Sequence, residues 1–367
     1  MELEKDSKIL DFFLGANSPA GFAGYFEELV DIQNGHRGYV IKGGPGTGKS
    51  SLMKRVAKVL EGADEQIERI HCSSDPDSLD GVIGKTANAS IADGTAPHVI
   101  EPGFPGACQT TVNLCACWDE ALLDQSREEI VRLSLKNKAF HARCTRYLKA
   151  ARALLADNET IAAECTDYAK VQLFAKKLIH KELPVKKGSV GRAHKRLLSA
   201  VTPKGILMYG ETVSALCQRV YVIRDDFGAV SRMLMAKLLD AAVAAGYEVY
   251  ACYCPLEPTV RVEHLLIPEL SLGFVTANKF VDTGAKPFRV INFSRFTDIE
   301  KLRKKKQRIS FNKKAATELF EEAVAILKEA KANHDELEAF YLAAVDFDKV
   351  NAVAENVIQA FQSRCQL

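Results

Sequence analysis

The chain repeats itself, and that repeat limits what it can fold into more than any other feature. Gly38-Tyr-Val-Ile-Lys-Gly-Gly-Pro-Gly46 aligns with Val220-Tyr-Val-Ile-Arg-Asp-Asp-Phe-Gly228 at a separation of 182 residues. His71-Cys72 pairs with Tyr253-Cys254, and Asp75-Pro76 with Glu257-Pro258, at the same separation. Thr95-Ala-Pro-His98 matches Thr276-Ala-Asn-Lys279, Val112-Asn113-Leu114 matches Ile291-Asn292-Phe293, and Pro19 and Gly21 match Pro203 and Gly205. Anchors kept in one order, drifting by a few residues, mean a tandem duplication. Two domains follow, 1–185 and 186–367, divided at a linker broken by Pro184, Gly188 and Gly191.

Each copy alternates strand and helix. In the first, the pattern predicts a strand over Gly38 to Lys42 and a helix from Lys49 to Leu60 with Leu52, Val56, Val59 and Leu60 on one side. A second strand near Ile67 to Cys72, a short helix and a third strand near Ala89 to Ala92 complete the unit. Such alternation predicts a parallel sheet covered on both faces. From Asp119 to Ile179, and from Asp298 to Phe361, charged and apolar residues recur at helical spacing without proline. Those segments are expected to be antiparallel helices packed on, or projecting from, the sheets.

Composition sets outer bounds. With 47% apolar and 26% charged residues, this is a globular chain, and no apolar run approaches the roughly 20 residues that cross a bilayer. The opening Met1-Glu-Leu-Glu-Lys-Asp-Ser lacks the basic-then-apolar order of a secretory signal, so a cytoplasmic address is expected. The ten cysteines have neither disulfide-framework nor zinc-finger spacing; Cys115/Cys117 and Cys252/Cys254 read as thiols sharing a buried strand face. The first half is net acidic and the second net basic, which favours attraction between the copies as an internal pseudo-dimer.

Between the first strand and the first helix lies Gly43-Gly44-Pro45-Gly46-Thr47-Gly48-Lys49-Ser50, which matches G-x-x-x-x-G-K-[ST] at every fixed position. Glycines let the backbone turn tightly and aim its N–H groups inward at a helix N-terminus whose dipole favours phosphate. Lys49 is placed to reach β- and γ-phosphates, the Ser50 hydroxyl to ligate Mg²⁺, and Thr47 and Ser51 to add donors. Asp93, closing the third strand, is the candidate Mg²⁺ carboxylate; the alternative is an Asp93-Gly94 turn. Asp75, in the acidic run ending at Asp80, is the candidate for orienting water or a phosphate acceptor; the alternative is helix capping. Thr95 and His98 are candidates for sensing the γ-phosphate, with a structural histidine as the alternative.

On these residues the chain resembles the P-loop NTPases. The run from Gly44 to Ser50 is similar to the phosphate loop of AAA-type ATPases, with Gly44 where that family usually has proline. The full length, including Asp93-Gly-Thr-Ala-Pro-His98, resembles a family of uncharacterised bacterial ATPases. The resemblance implies an α/β fold of two tandem P-loop NTPase-like three-layer domains with mainly parallel sheets, each followed by a helical segment. It also implies ATP as substrate, with Mg²⁺. Gly94 stands where AAA-type enzymes carry the glutamate that activates water.

The second copy reads Asp225-Asp226-Phe-Gly-Ala-Val230-Ser231-Arg232, with the lysine and the hydroxyl lost and two carboxylates that repel phosphate. It is expected to serve as a structural partner, with an arginine finger from Arg232 as the alternative. The basic stretch Lys301 to Arg308 reads as a solvated helix face; contact with nucleic acid or an acidic membrane is the less favoured reading. The leading expectation is an ATPase or ATP-driven switch whose helical segments contact a protein partner. A small-molecule or nucleotide kinase and a non-catalytic ATP-binding module are the alternatives.

Overall fold

A computed structural model describes residues 9–30, 35–63, 66–186 and 188–366; the opening residues and Lys187 in the linker lie outside the described residues. The first unit runs β1 (Ile9–Phe13), β2 (Gly15–Ser18), β3 (Gly21–Gly24), β4 (Arg37–Lys42), α1 (Lys49–Gly62), β5 (Ile67–His71), β6 (Leu79–Gly84), β7 (Ala89–Asp93) and β8 (Gln109–Asn113). Its helical segment is α2 (Glu120–Gln125), α3 (Arg127–Ala163) and α4 (Tyr168–Glu182). The second unit runs β9 (Arg192–Arg196), β10 (Ser199–Thr202), β11 (Gly205–Met208), α5 (Gly210–Leu216), β12 (Arg219–Arg224), α6 (Ala229–Ala244), β13 (Glu248–Tyr253), β14 (Val262–Ile267), β15 (Leu272–Ala277) and β16 (Arg289–Asn292). The chain closes with α7 (Ile299–Arg303), α8 (Lys306–Ala344) and α9 (Phe347–Cys365).

Each unit is built on a six-stranded mixed sheet, in the order β1-β5-β6-β7-β4-β8 and, strand for strand, β9-β13-β14-β15-β12-β16. The short helix expected before the third strand is instead a strand, β6 and its twin β14, antiparallel to both neighbours. All six residues of β14 are buried, and a strand covered on both faces has no alternation to separate it from a buried helix. Each sheet therefore mixes parallel pairs at the loop-bearing strand β4 or β12 with one antiparallel insertion.

The helical segments exchange places between units. From the first half, α4 sends Val171, Ala175 and Leu178 into the core around Leu234 and Leu238 of the second unit. From the second half, α9 sends Val350, Ala354, Val357 and Phe361 into the core around Leu52, Val56 and Leu60 of the first. The sequence boundary at residue 185 is thus not the packing boundary. The long helices α3 and α8 lie antiparallel, pairing Leu133 with Asn333, Arg143 with Glu329 and Asn158 with Asn312. At 37 and 39 residues they reach about 55 Å.

Reciprocal clamps fix the exchange. Asp119 donates its N–H to Ala344 while Asp346 donates to Cys117, and Asp167 donates to Phe296 while Asp298 donates to Cys165. Each of these four aspartates then caps the helix it begins, accepting one or two amide protons through its carboxylate. Between the sheets, Phe13 and Leu197 exchange backbone hydrogen bonds across the two edge strands. Buried beside them, Arg196 donates to Glu68 at 2.8 Å and Tyr250 donates to the other Glu68 oxygen at 2.7 Å.

Candidate functional site

The loop 43–48 leaves the end of β4 and enters α1. Gly46 and Gly48 have φ of 68° and 80°, a region that residues with a Cβ avoid. Thr47, almost wholly buried, donates to the Gly44 carbonyl at 2.8 Å and braces the turn. The Lys49 ammonium folds back to donate to the Gly43 and Gly44 carbonyls at 2.9 and 2.7 Å, and lies 3.7 Å from Asp93 Oδ2. Asp93 Oδ1 accepts from the Thr95 amide at 2.9 Å and from the Thr95 hydroxyl. One carboxylate thus has one oxygen bonded into the turn, as the turn reading expects, and one oxygen facing Lys49. Ser50 Oγ accepts from the Leu79 amide at 3.0 Å, which ties the start of α1 to β6.

What covers this loop comes from the other end of the chain. A methyl group on Gly44 would stand 2.9 Å from the Tyr341 ring and 3.1 Å from Trp118, and one on Gly46 would stand 3.0 Å from Leu342 and 3.1 Å from Glu338. Trp118 and Tyr341 meet edge to face. The last turns of α8 therefore lie on the glycine loop, about 290 residues away in sequence from what they touch. Helical periodicity marks the apolar positions of α8 but not which surface they meet.

The acidic run does not act as one group. Asp75 accepts from Ser78 Oγ at 2.9 Å and faces Lys331 of α8 at 3.7 Å. Asp77 pairs with Lys204 on the β10–β11 turn at 2.7 Å. Asp80 turns inward, 3.5 Å from His98 Nε2. Burial pushes the Asp80 carboxyl up to about 6, against the pull of His98 and with the push of Asp93. His98 is buried between Phe22 and Phe26, so its close charged partner is Asp80 and not the Lys49–Asp93 pair. Asp75 likewise meets Lys331, not that pair.

The second loop keeps the shape and changes the contents. Gly228 has φ 83°, matching Gly46 in the repeat, and precedes α6 as Gly48 precedes α1. Asp225, 1% exposed, folds its carboxylate into the turn. Oδ1 accepts from the amides of Phe227 and Gly228 at 3.2 and 3.1 Å, and Oδ2 from those of Val230 and Ser231 at 2.9 and 2.8 Å. A side-chain anion occupies the donors that a loop of this shape offers to an anion. Asp225 fills the nest, while Asp226 points away and pairs with Lys313 at 2.9 Å, so of the two carboxylates only Asp225 lies among the loop amides. Arg232 donates to Glu159 and Glu257 at 2.6 Å, held beside its own loop, so the arginine-finger alternative finds no support in its position.

The basic stretch is partnered within the chain only in part, with Lys304, Lys305 and Lys306 exposed on its solvent side. Lys301 donates to the Glu164 carbonyl, Arg303 pairs with Glu300 and Arg308 with Asp157. All ten cysteines are free thiols; Cys252 in β13 and Cys254 just past its end are buried as expected, but Cys115 and Cys117 lie on a 3-10 turn, not a strand, and of the two only Cys117 is buried. Among the described residues no helix is long and apolar enough to cross a membrane. Compared with protein-family models, curated proteins and solved structures, the chain matches none.

Proposed function

We propose that the first unit is a P-loop nucleotide-binding domain, that it binds Mg-ATP at Gly43 to Ser51, and that the protein is an ATPase working as an ATP-driven switch. The contrast between the loops carries this reading. Both units have a strand, a left-handed glycine turn and a helix N-terminus, yet only the second loop supplies its own anion. In the first, no side-chain carboxylate sits at the place of Asp225, since Gly43 stands there. Lys49 and Asp93 then supply the cation for phosphate oxygens and the carboxylate for a metal.

Ser50 and Asp93 offer hydroxyl and carboxylate oxygens, the hard donors that suit Mg²⁺. Bound there, the ion would offset charge on the phosphates. The site needs Lys49 to leave the Gly43 and Gly44 carbonyls for the phosphates, a movement of one flexible side chain. A switch is favoured over a simple hydrolase because Glu338, Tyr341 and Leu342 lie on the loop: a phosphate that reshapes it acts directly on α8 and its partner α3. The kinase alternative rests on the acidic run, whose three carboxylates point to three different places. Purified protein with Lys49→Ala is expected to lose phosphate release from ATP at least a hundredfold, an effect of about 2.7 kcal/mol or more. Turnover equal to that of the unaltered chain rejects the assignment.

A further inference from the structure

We infer that Cys72, Asp80 and His98 form a binding site for a thiophilic divalent metal ion, Zn²⁺ by preference, distinct from the magnesium expected with the nucleotide. One donor atom from each of the three lies within 4.8 Å of the other two. Asp80 Oδ2 and His98 Nε2 are 3.5 Å apart. Neighbouring donors around a tetrahedral zinc stand about 3.3 to 3.7 Å apart, given bonds of about 2.0 to 2.3 Å. Asp80 and His98 are therefore at the spacing of ligands sharing an ion, with the Cys72 thiol within 4.8 Å of both.

Surroundings and topology agree. Asp80 and His98 are buried, and Phe22 and Phe26 wall the imidazole. His98 Nδ1 is buried with no hydrogen-bond partner. A buried carboxylate and imidazole beside a thiol are costly to hold without a compensating charge, and a metal cation supplies it. The residues come from three places, the end of β5, the start of β6 and the segment after β7, so an ion would tie adjacent strands together. A thiolate, an imidazole and a carboxylate make a soft to borderline donor set that favours zinc over magnesium.

The second unit is an internal control. By the matching strand registers, Cys72, Asp80 and His98 correspond to Cys254, Glu263 and Val281, the pairing of Asp93 with Thr276 shifting the segment after β7 by two residues from the match read in the sequence. Thiol and acid persist, but the buried apolar side chain of Val281 stands in place of the imidazole. One metal per chain is the consequence.

The experiment is a cobalt titration of chelator-stripped full-length protein, followed by its thiolate-to-metal absorption in the near ultraviolet. The site requires uptake of one Co²⁺ per chain, displacement by Zn²⁺, and no displacement by excess Mg²⁺. Cys72→Ser, nearly isosteric, should abolish the thiolate band, and His98→Ala should weaken binding about tenfold or more. Lys49→Ala should lose ATP binding yet keep the band, so the two sites fail separately. Absence of stoichiometric uptake overturns the inference. So does a thiolate band that survives Cys72→Ser in protein whose circular dichroism shows it folded, since one of the other nine cysteines would then hold the metal.

Discussion

The two glycine loops share a scaffold and differ in what fills them. At the position of Gly43 the second unit has Asp225, and four amides that would otherwise point into an anion site converge on that carboxylate. Loss of the lysine alone would have left an exposed nest. Gain of the aspartate closes it and keeps the turn folded without a ligand. The comparison teaches that one backbone turn can be held by a carboxylate from within the chain, and that an acid at this place stabilises the shape while occupying its amide donors.

The comparison presumes that both units form one body, and the largest expected effect tests that premise. Glu68 is the shared partner of Arg196, 3% exposed, and Tyr250 across the interface. Glu68→Ala leaves Tyr250 without its acceptor and the buried guanidinium with Glu28 as its remaining carboxylate partner, and is expected to lower stability by about 3 kcal/mol in denaturant melts. A loss below about 1 kcal/mol would mean that the interface does not depend on this network.

Next in size is a transplant of the plug. Gly43→Asp together with Thr47→Ala, which removes the hydroxyl 2.6 Å from the new Cβ and matches Ala229 of the second loop, should fill the first nest. ATP affinity is expected to fall at least a hundredfold, about 2.7 kcal/mol, with stability retained. Unchanged affinity breaks the parallel between the loops. The reverse change, Asp225→Ala, leaves buried amides without an acceptor. It should cost about 2 kcal/mol, with added sulfate or phosphate recovering part of the melting temperature only in the variant.

The smallest effect is confined to acid and to one edge strand. Burial raises the Asp11 carboxyl, but hydrogen bonds from His71 and Arg69 outweigh it and hold the group down at about 2. A folded value below the unfolded one stabilises the protein above the unfolded value and ceases to do so as pH falls toward 2. On the order of 2 kcal/mol should be lost between about pH 4 and 2, and Asp11→Asn should flatten that part of the profile. By register the twin of Asp11 is Lys195 on β9, so the first unit alone carries this term.

Sequence periodicity and the repeat foretold the duplication, the loop strand, α1 and the two helical segments. They did not reveal β6 and β14, buried on both faces, nor the bridge between Phe13 and Leu197 where the ends of β1 and β9 meet. Amphipathic spacing along α4 and α9 shows that Val171, Ala175, Val350 and Ala354 are covered but not by which unit, and here each is covered by the other one. Charge alone marked Asp225 as a repellent of phosphate, because whether an acid opposes an anion or replaces it depends on where its oxygens point. Tyr341 and Glu338 on the first loop, and His98 against Asp80, were equally beyond reach, being contacts between distant segments.

Calorimetric titration of the full chain with ATP and Mg²⁺ tests the central claim most directly. One site per chain is predicted, with no detectable heat of binding after Lys49→Ala and an undiminished site after Asp225→Ala. No binding to the unaltered chain, or a site that survives Lys49→Ala, would contradict the account.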